Sequence, residues 1–253
     1  MQSILTPEET IQSEEAIAYL NENKKKLVER YIDSAFYVKT ADTTPTSIYT
    51  AGWPGVGKTE YAKNFIRNAQ DTYDINFLHI DIDEYRKFFP IYNGKNASVV
   101  QHAATKAVHI IFNHAHKNKL NYILDTTFAA DTTLNSLERD LDVGRQVFID
   151  FIYLDPRFAW INAKAREKVE GRYVPKEVFI QKYFNSISNV KRIKETYQDR
   201  ISLSVVIKGT ALRPFALSLE KYALDVANVE TFLPKIYTTV SELNKALEVY
   251  EIL

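Results

Sequence analysis

The sequence predicts an α/β fold: a doubly wound, mostly parallel five-stranded sheet with helical N- and C-terminal extensions. Three observations carry this expectation. Apolar runs rich in β-branched and aromatic residues recur at 47–51, 76–80, 122–124, 146–154 and 201–207, and helical patterns separate them. Such alternation selects a parallel sheet, because a crossover helix brings the next strand back in the same direction. Second, a glycine-rich loop, Gly52-Trp53-Pro54-Gly55-Val56-Gly57-Lys58-Thr59, lies between the first strand and the helix after it. Third, 253 residues with 45% hydrophobic and 13% aromatic content suffice for one core with appendages.

The elements follow in order. Thr6, with Pro7 next and Glu9 three residues on, reads as a helix start with a capping box. Residues 7–38 then read as helical, with apolar positions at Ile17, Leu20, Leu27 and Ile32 in a Glu- and Lys-rich segment. A docking helix pair is favoured over a partner-binding appendage or an inhibitory segment. Residues 42–46 form a linker. The helix after the loop, 59–70, places Ala62, Phe65 and Ile66 on one face. Further helices are expected at 97–118, 131–143, 156–170 and 176–198, and residues 215–253 read as mainly helical. The resulting division is an extension and linker at 1–45, a core at 46–210 with a lid around 156–176, and a C-terminal helical segment at 211–253.

The loop is a complete G-x-x-x-x-G-K-T motif in a chain with only seven glycines. A loop that wraps a polyphosphate aims backbone N–H groups inward and lets the chain approach the oxygens, which favours residues without Cβ. The helix behind it adds its N-terminal partial charge. Lys58 can reach the β- and γ-phosphates, and the Thr59 hydroxyl is placed to ligate Mg²⁺. Residues 52–60, including Glu60, therefore constitute the expected nucleotide-binding segment of a P-loop NTPase of the kinase type.

Other candidates sit at strand ends, where open α/β sheets bind ligands. Asp81 and Asp83 follow the second strand; a carboxylate there could accept the proton of an attacking hydroxyl, or simply cap the next helix. Asp125, followed by Thr126 and Thr127, closes the third strand, and could serve the Mg²⁺ shell through water or hold the acceptor. Arg157, Arg166 and Arg172 fall in the lid segment, whose arginines could stabilise a transferring phosphoryl group. Gly171 and Pro175 flank a hinge there. His102, His109 and His116 recur every seven residues on one helix, so successive rings stand about 10 Å apart along the axis, too far to share an ion. They read as face-forming residues, with His109 turned to the crevice. The 16 tyrosines are scattered among apolar positions and read as packing.

Composition narrows the function. With 32 basic and 32 acidic residues no global field favours nucleic acid or an anionic membrane. The absence of cysteine excludes disulfides and thiolate zinc sites. No apolar run approaches the length of a membrane span, and the expectation is a soluble cytoplasmic protein.

The ordered pieces resemble the zeta toxin family of P-loop kinases. The likeness runs from about Ile48 to Ile207 and rests on the W-P-G-V-G-K-T loop, Ile80-Asp81-Ile82-Asp83-Glu84-Tyr85-Arg86 with Pro90 following, the strand into Asp125-Thr126-Thr127, and Arg166 followed by Arg172-Tyr173-Val174-Pro175-Lys176. The resemblance implies that Asp83 is the general base, that Asp125 contacts substrate or organises the metal shell, and that Arg166 and Arg172 stabilise the transferring group. It implies ATP or GTP as donor with Mg²⁺, the 3′-hydroxyl of UDP-N-acetylglucosamine as acceptor, and a small helical antitoxin as partner. The chain departs from the family where Asp125 replaces a glutamate, where Ala129 falls near a common arginine, and where His109 aligns with a substrate-binding glutamate. These departures lie on the acceptor side. Alternatives at this stage are a kinase for a nucleoside, antibiotic or dinucleotide cofactor, a nucleotide-dependent regulatory module without catalysis, and in-chain control by residues 7–38.

Overall fold

The structure, a computed structural model, describes residues 5–33, 36, 44–170, 173–209 and 219–249. Six strands, β1 (Thr46–Ala51), β2 (Leu78–Ile80), β3 (Tyr122–Leu124), β4 (Gln146–Tyr153), β5 (Ile201–Lys208) and β6 (Leu219–Ala223), form one sheet in the order β2-β3-β1-β4-β5-β6. The first five are parallel, with Ile48 of β1 opposite Ile123 of β3 and Phe148 of β4. β1 is central and buried on both faces from Ser47 to Ala51, so it lacks the inside–outside alternation of a half-buried strand, and its Ser47 and Thr50 are buried polar residues. The five expected strands are all present. The sixth pairs antiparallel with β5 and falls in the C-terminal stretch expected to be mainly helical, where α9 (Val240–Glu248) is the one α-helix among the described residues. Residues 210–218, between β5 and β6, lie outside the described residues.

Helices cover both faces. α3 (Lys58–Tyr73), α5 (Ala97–Lys117), α6 (Asp131–Asp142), α7 (Pro156–Glu170) and α8 (Lys176–Tyr197) occur close to their expected positions. A short α4 (Ile82–Arg86) was not expected as an element of its own. At the N-terminus, α1 (Pro7–Glu22) opens on the capping box of Thr6 and Glu9, and Asn23 separates it from α2 (Lys24–Tyr31). Both pack against α5, burying Ala16, Leu20 and Leu27 in the main core. Residues 34, 35 and 37–43, part of the expected helical segment and linker, lie outside the described residues.

A buried polar cluster fastens the sheet at the end remote from the glycine loop. Arg145 donates to Ser47 Oγ and to the carbonyls of Thr46 (3.0 Å) and Leu120 (2.6 Å), tying β1 to the entrances of β3 and β4. The fully buried Asp140 of α6 accepts from the Tyr49 and Tyr122 hydroxyls and lies 3.6 Å from Arg145 Nε.

Candidate active site

The glycine loop turns at the carboxyl end of β1. Gly52, Gly55 and Gly57 have φ of 124°, 83° and 81°, conformations that L side chains rarely adopt. At Gly55 a second constraint applies: an added Cβ would lie 2.0 Å from the carbonyl oxygen of Ala159 on α7. The room left by this missing Cβ is therefore occupied by the α7 backbone rather than by the cleft side. Asn162 of α7 donates to the Gly55 carbonyl at 3.0 Å and completes that attachment. Trp53 is fully buried against Phe151, Tyr153 and Tyr183, which fixes the loop from below, and its carbonyl accepts from Lys58 Nζ at 3.0 Å.

Three carboxylates, Asp81, Asp83 and Asp125, follow the carboxyl ends of β2 and β3. Asp81 is the N-cap of α4, accepting from the Asp83 amide at 2.9 Å, so the capping role weighed for it is realised. Burial, then the neighbouring Asp125 and Asp83 carboxylates, push Asp81 up to about 6. On α4, Asp83 Oδ1 accepts from Arg86 at 2.6 Å, while its Oδ2 lies 3.7 Å from Arg166 Nη2 of α7. The buried Arg86 is held in turn by Gln101 Oε1 of α5 at 2.6 Å. Tyr31 at the end of α2 donates to the Glu84 carbonyl at 3.0 Å and stacks edgewise on Tyr85, so the N-terminal helices brace the turn that presents Asp83.

Asp125 closes β3 beside the loop. Its Oδ2 accepts from Thr59 Oγ1 at 2.6 Å and its Oδ1 from Thr50 Oγ1 at 3.2 Å. His79 of β2 brings its Nε2 to 3.6 Å from Asp125 Oδ2. Burial alone would raise the Asp125 pKa, but His79, the Lys58 charge and the Thr59 hydroxyl outweigh it and hold the carboxyl below its ordinary value. His79, Asp81 and Asp125 are the one cluster with metal-ligating groupings among the described residues, their ligand atoms lying within 4.8 Å of one another.

Lys58, Thr59, Asp81, Asp83, Arg86, Asp125 and Arg166 line one cleft of about 650 Å³, while His79 stands behind Asp125 off its wall. Of the expected nucleotide-binding segment, Pro54, Gly55, Gly57, Lys58 and Thr59 reach its wall; Gly52, Trp53, Val56 and Glu60 do not. Trp53 and Val56 point into the core, and Glu60 is exposed on the outer side of α3. Asp81, Asp83, Asp125, Thr127 and Arg166 all line the cleft. His109 does not. It sits on the exposed face of α5, because the buried face of that helix runs through Ala103, Ala104, Ala107 and Ile111, and the end of α5 that opens on the cleft presents Ser98 and Gln101. Arg157 is engaged by Asp155 at the start of α7 and lies off the cleft wall. Gly171 and Arg172 lie outside the described residues.

Sequence reasoning passed over His79, Arg86, Gln101, Lys95 and Lys182. His79 and Arg86 could have been found from spacing, since each falls two or three residues from an aspartate already singled out. Gln101, Lys95 and Lys182 carry no local signal.

The profile of the zeta toxin family matches residues 15–212. The chain belongs to the zeta toxin family. Comparison with curated proteins finds no significant match. Among solved structures, a chain of the PezAT chromosomal toxin–antitoxin system of Streptococcus pneumoniae aligns at 18% identity over 98% of this chain and 97% of that one, with a TM-score of 0.58. The AvrRxo1-ORF1:AvrRxo1-ORF2 complex crystallised with sulphate ions, and the same complex with ATP, each align at 13% identity, 94% and 85% coverage and a TM-score of 0.58. At these identities the structural likeness speaks to the fold. This zeta toxin family chain thus has the P-loop kinase architecture expected for it, and no helix among its described residues is long and apolar enough to cross a membrane.

Proposed function

We propose that the protein is a Mg²⁺-dependent kinase that transfers the γ-phosphoryl group of ATP or GTP to a hydroxyl of a small acceptor, with a nucleotide sugar of the UDP-N-acetylglucosamine type as first choice. The observation that carries this reading is the convergence on one cleft of Lys58 and Thr59 from the loop, Asp83 from α4 and Arg166 from α7. In the proposed reaction the loop amides and Lys58 bind the donor phosphates. Asp83, oriented by Arg86, accepts the proton of the attacking hydroxyl, and Arg166 offsets charge on the transferring group. Arg172 is assigned the same task as Arg166 through its place in the family motif. Asp81 and Thr127 are assigned to the acceptor side. Lys95 and Lys182 on the cleft wall add positive charge there, which suits an acceptor carrying phosphates of its own.

The Thr59 hydroxyl and the Asp125 carboxylate form an oxygen donor pair beside the loop, the kind of set that hard cations prefer. These two residues would hold Mg²⁺, which when bound neutralises charge on the β- and γ-phosphates. A small helical antitoxin is proposed as partner and the cytoplasm as location, the first by analogy with the toxin–antitoxin system of the PezAT match.

The test is transfer from ATP to a panel of nucleotide sugars by wild type and Asp83→Asn, followed by mass spectrometry for a product heavier by one phosphate. Transfer should fall at least about 10²-fold in the variant while ATP affinity is retained. Equal transfer by the two proteins removes Asp83 as the base, and absence of transfer to every sugar of the panel removes the nucleotide-sugar reading.

A further inference from the structure

Lys208, the last residue of β5, is buried at 6% exposure and sends its Nζ across the sheet end to the Gly57 carbonyl at 2.6 Å. That carbonyl also accepts the first backbone bond of α3, from the Tyr61 amide at 3.1 Å. Gly57 is the left-handed N-cap of α3 and has no side chain with which to cap it. Strand pairing between β5 and β6 shifts register between Ile207 and Lys208, the kind of irregularity that re-aims side chains beside functional sites.

In a trans peptide the C=O and N–H point in opposite directions. With its carbonyl turned toward Lys208, the Gly57–Lys58 peptide directs its N–H the other way, at the first turn of α3, where Lys58 and Thr59 form the cleft wall. An ammonium on the carbonyl also polarises the peptide and strengthens its N–H as a donor to an anion. A side chain whose task was only to fill space here would be apolar, because burying an ammonium is unfavourable.

We propose that Lys208 is a positioning residue of the phosphate loop. It acts from behind the loop, fixing the Gly57–Lys58 peptide for polyphosphate and adding a second cation to the site. The inference rests on the reading of the loop as a nucleotide site. Its chemistry carries a pH signature: burial lowers Lys208 to about 8, with Glu60 of α3 as the charged neighbour that opposes the shift. The loop is therefore backed by a cation below about pH 8 and loses it above.

The experiment is calorimetric titration of ATP into wild type, Lys208→Met and Lys208→Arg between pH 7 and 9.5, with thermal melts of each. Wild-type affinity should fall as pH rises through 8. Lys208→Met should bind about tenfold more weakly at pH 7, equivalent to about 1.4 kcal/mol, without that pH step, and should melt no lower than wild type because a buried charge is gone. Lys208→Arg, charged throughout, should retain affinity to pH 9.5. Lys208→Met binding ATP like wild type, with the same pH profile, overturns the proposal and leaves the kinase reading standing. Wild type that binds no ATP overturns both. Loss of affinity at pH 7 in Lys208→Arg equal to that in Lys208→Met overturns the role of the charge.

Discussion

Replacing Gly55 by alanine tests how the phosphate loop is coupled to the helix that carries Arg166. The new Cβ would meet the Ala159 carbonyl at 2.0 Å, whereas ordinary contact begins at 3.4 Å, so loop or α7 must move by about 1.4 Å. The backbone φ of 83° adds about 1–2 kcal/mol for a side chain in the left-handed region. Forced overpacking adds about 1–3 kcal/mol more. The sum, about 2–5 kcal/mol, corresponds to a melting temperature lower by roughly 5–15 °C for a chain of this size. Arg166 rides on the same helix as Ala159, 3.7 Å from Asp83, and a misplacement of about 1 Å can cost about 10²-fold in rate. Gly144→Ala is the control: φ is 75° but nothing lies within 4 Å of the added Cβ, so only the backbone cost applies. Thermal melts and ATP titration of the two variants decide the matter. If Gly55→Ala melts with Gly144→Ala and binds ATP like wild type, the contact between loop and α7 does not shape the site.

Two further outcomes follow from buried charges. Asp150, fully buried between the Tyr61 and Ser204 hydroxyls, is raised by burial to about 6, so its folded form holds a proton that the unfolded chain releases near 3.8. Its contribution is greatest below pH 4 and is lost as pH rises toward 6, by at most about 3 kcal/mol. Asp150→Asn should therefore raise the melting temperature at pH 7 and flatten its pH dependence between 4 and 6; an unchanged pH profile would refute the assignment. Arg145→Met removes the guanidinium beside the fully buried Asp140 and leaves His116 Nε2, at 3.4 Å, as its nearest basic group, which costs about 3–5 kcal/mol and lowers melting by roughly 10 °C. A melting temperature within 2–3 °C of wild type, on the scale of about 1 kcal/mol, would show that the tyrosine hydroxyls and His116 suffice.

Most of the architecture was legible in the sequence because it is written in short-range periodicity. α5, expected at 97–118, spans Ala97–Lys117, and β3 coincides with its three-residue run, Tyr122–Leu124. What escaped was either too short or too indirect. α4 has five residues, fewer than two turns, so it shows no periodic face, and β6 follows residues 210–218 without the alternation of a half-buried strand. The assignment of His109 to the crevice failed because His109 lies on the exposed face of α5, opposite the buried stripe of Ala103, Ala104, Ala107 and Ile111, and only the N-terminal end of the helix, at Ser98 and Gln101, reaches the cleft.

Local sequence already dictates that a polyphosphate loop joins a strand to a helix, that acidic residues end the next two strands, and that the core is a parallel α/β sheet. Each of these depends on residues within a turn or two of one another, where sterics and hydrogen bonding act locally. Which distant groups meet depends on how the whole chain packs. Thr59 meets Asp125 from 66 residues away, Asn162 reaches Gly55 across 107, and Lys208 reaches Gly57 across 151. Those contacts depend on strand order and helix placement, which the whole core sets at once. The same principle turns Gly55 from a residue that makes room for a ligand into one that makes room for α7.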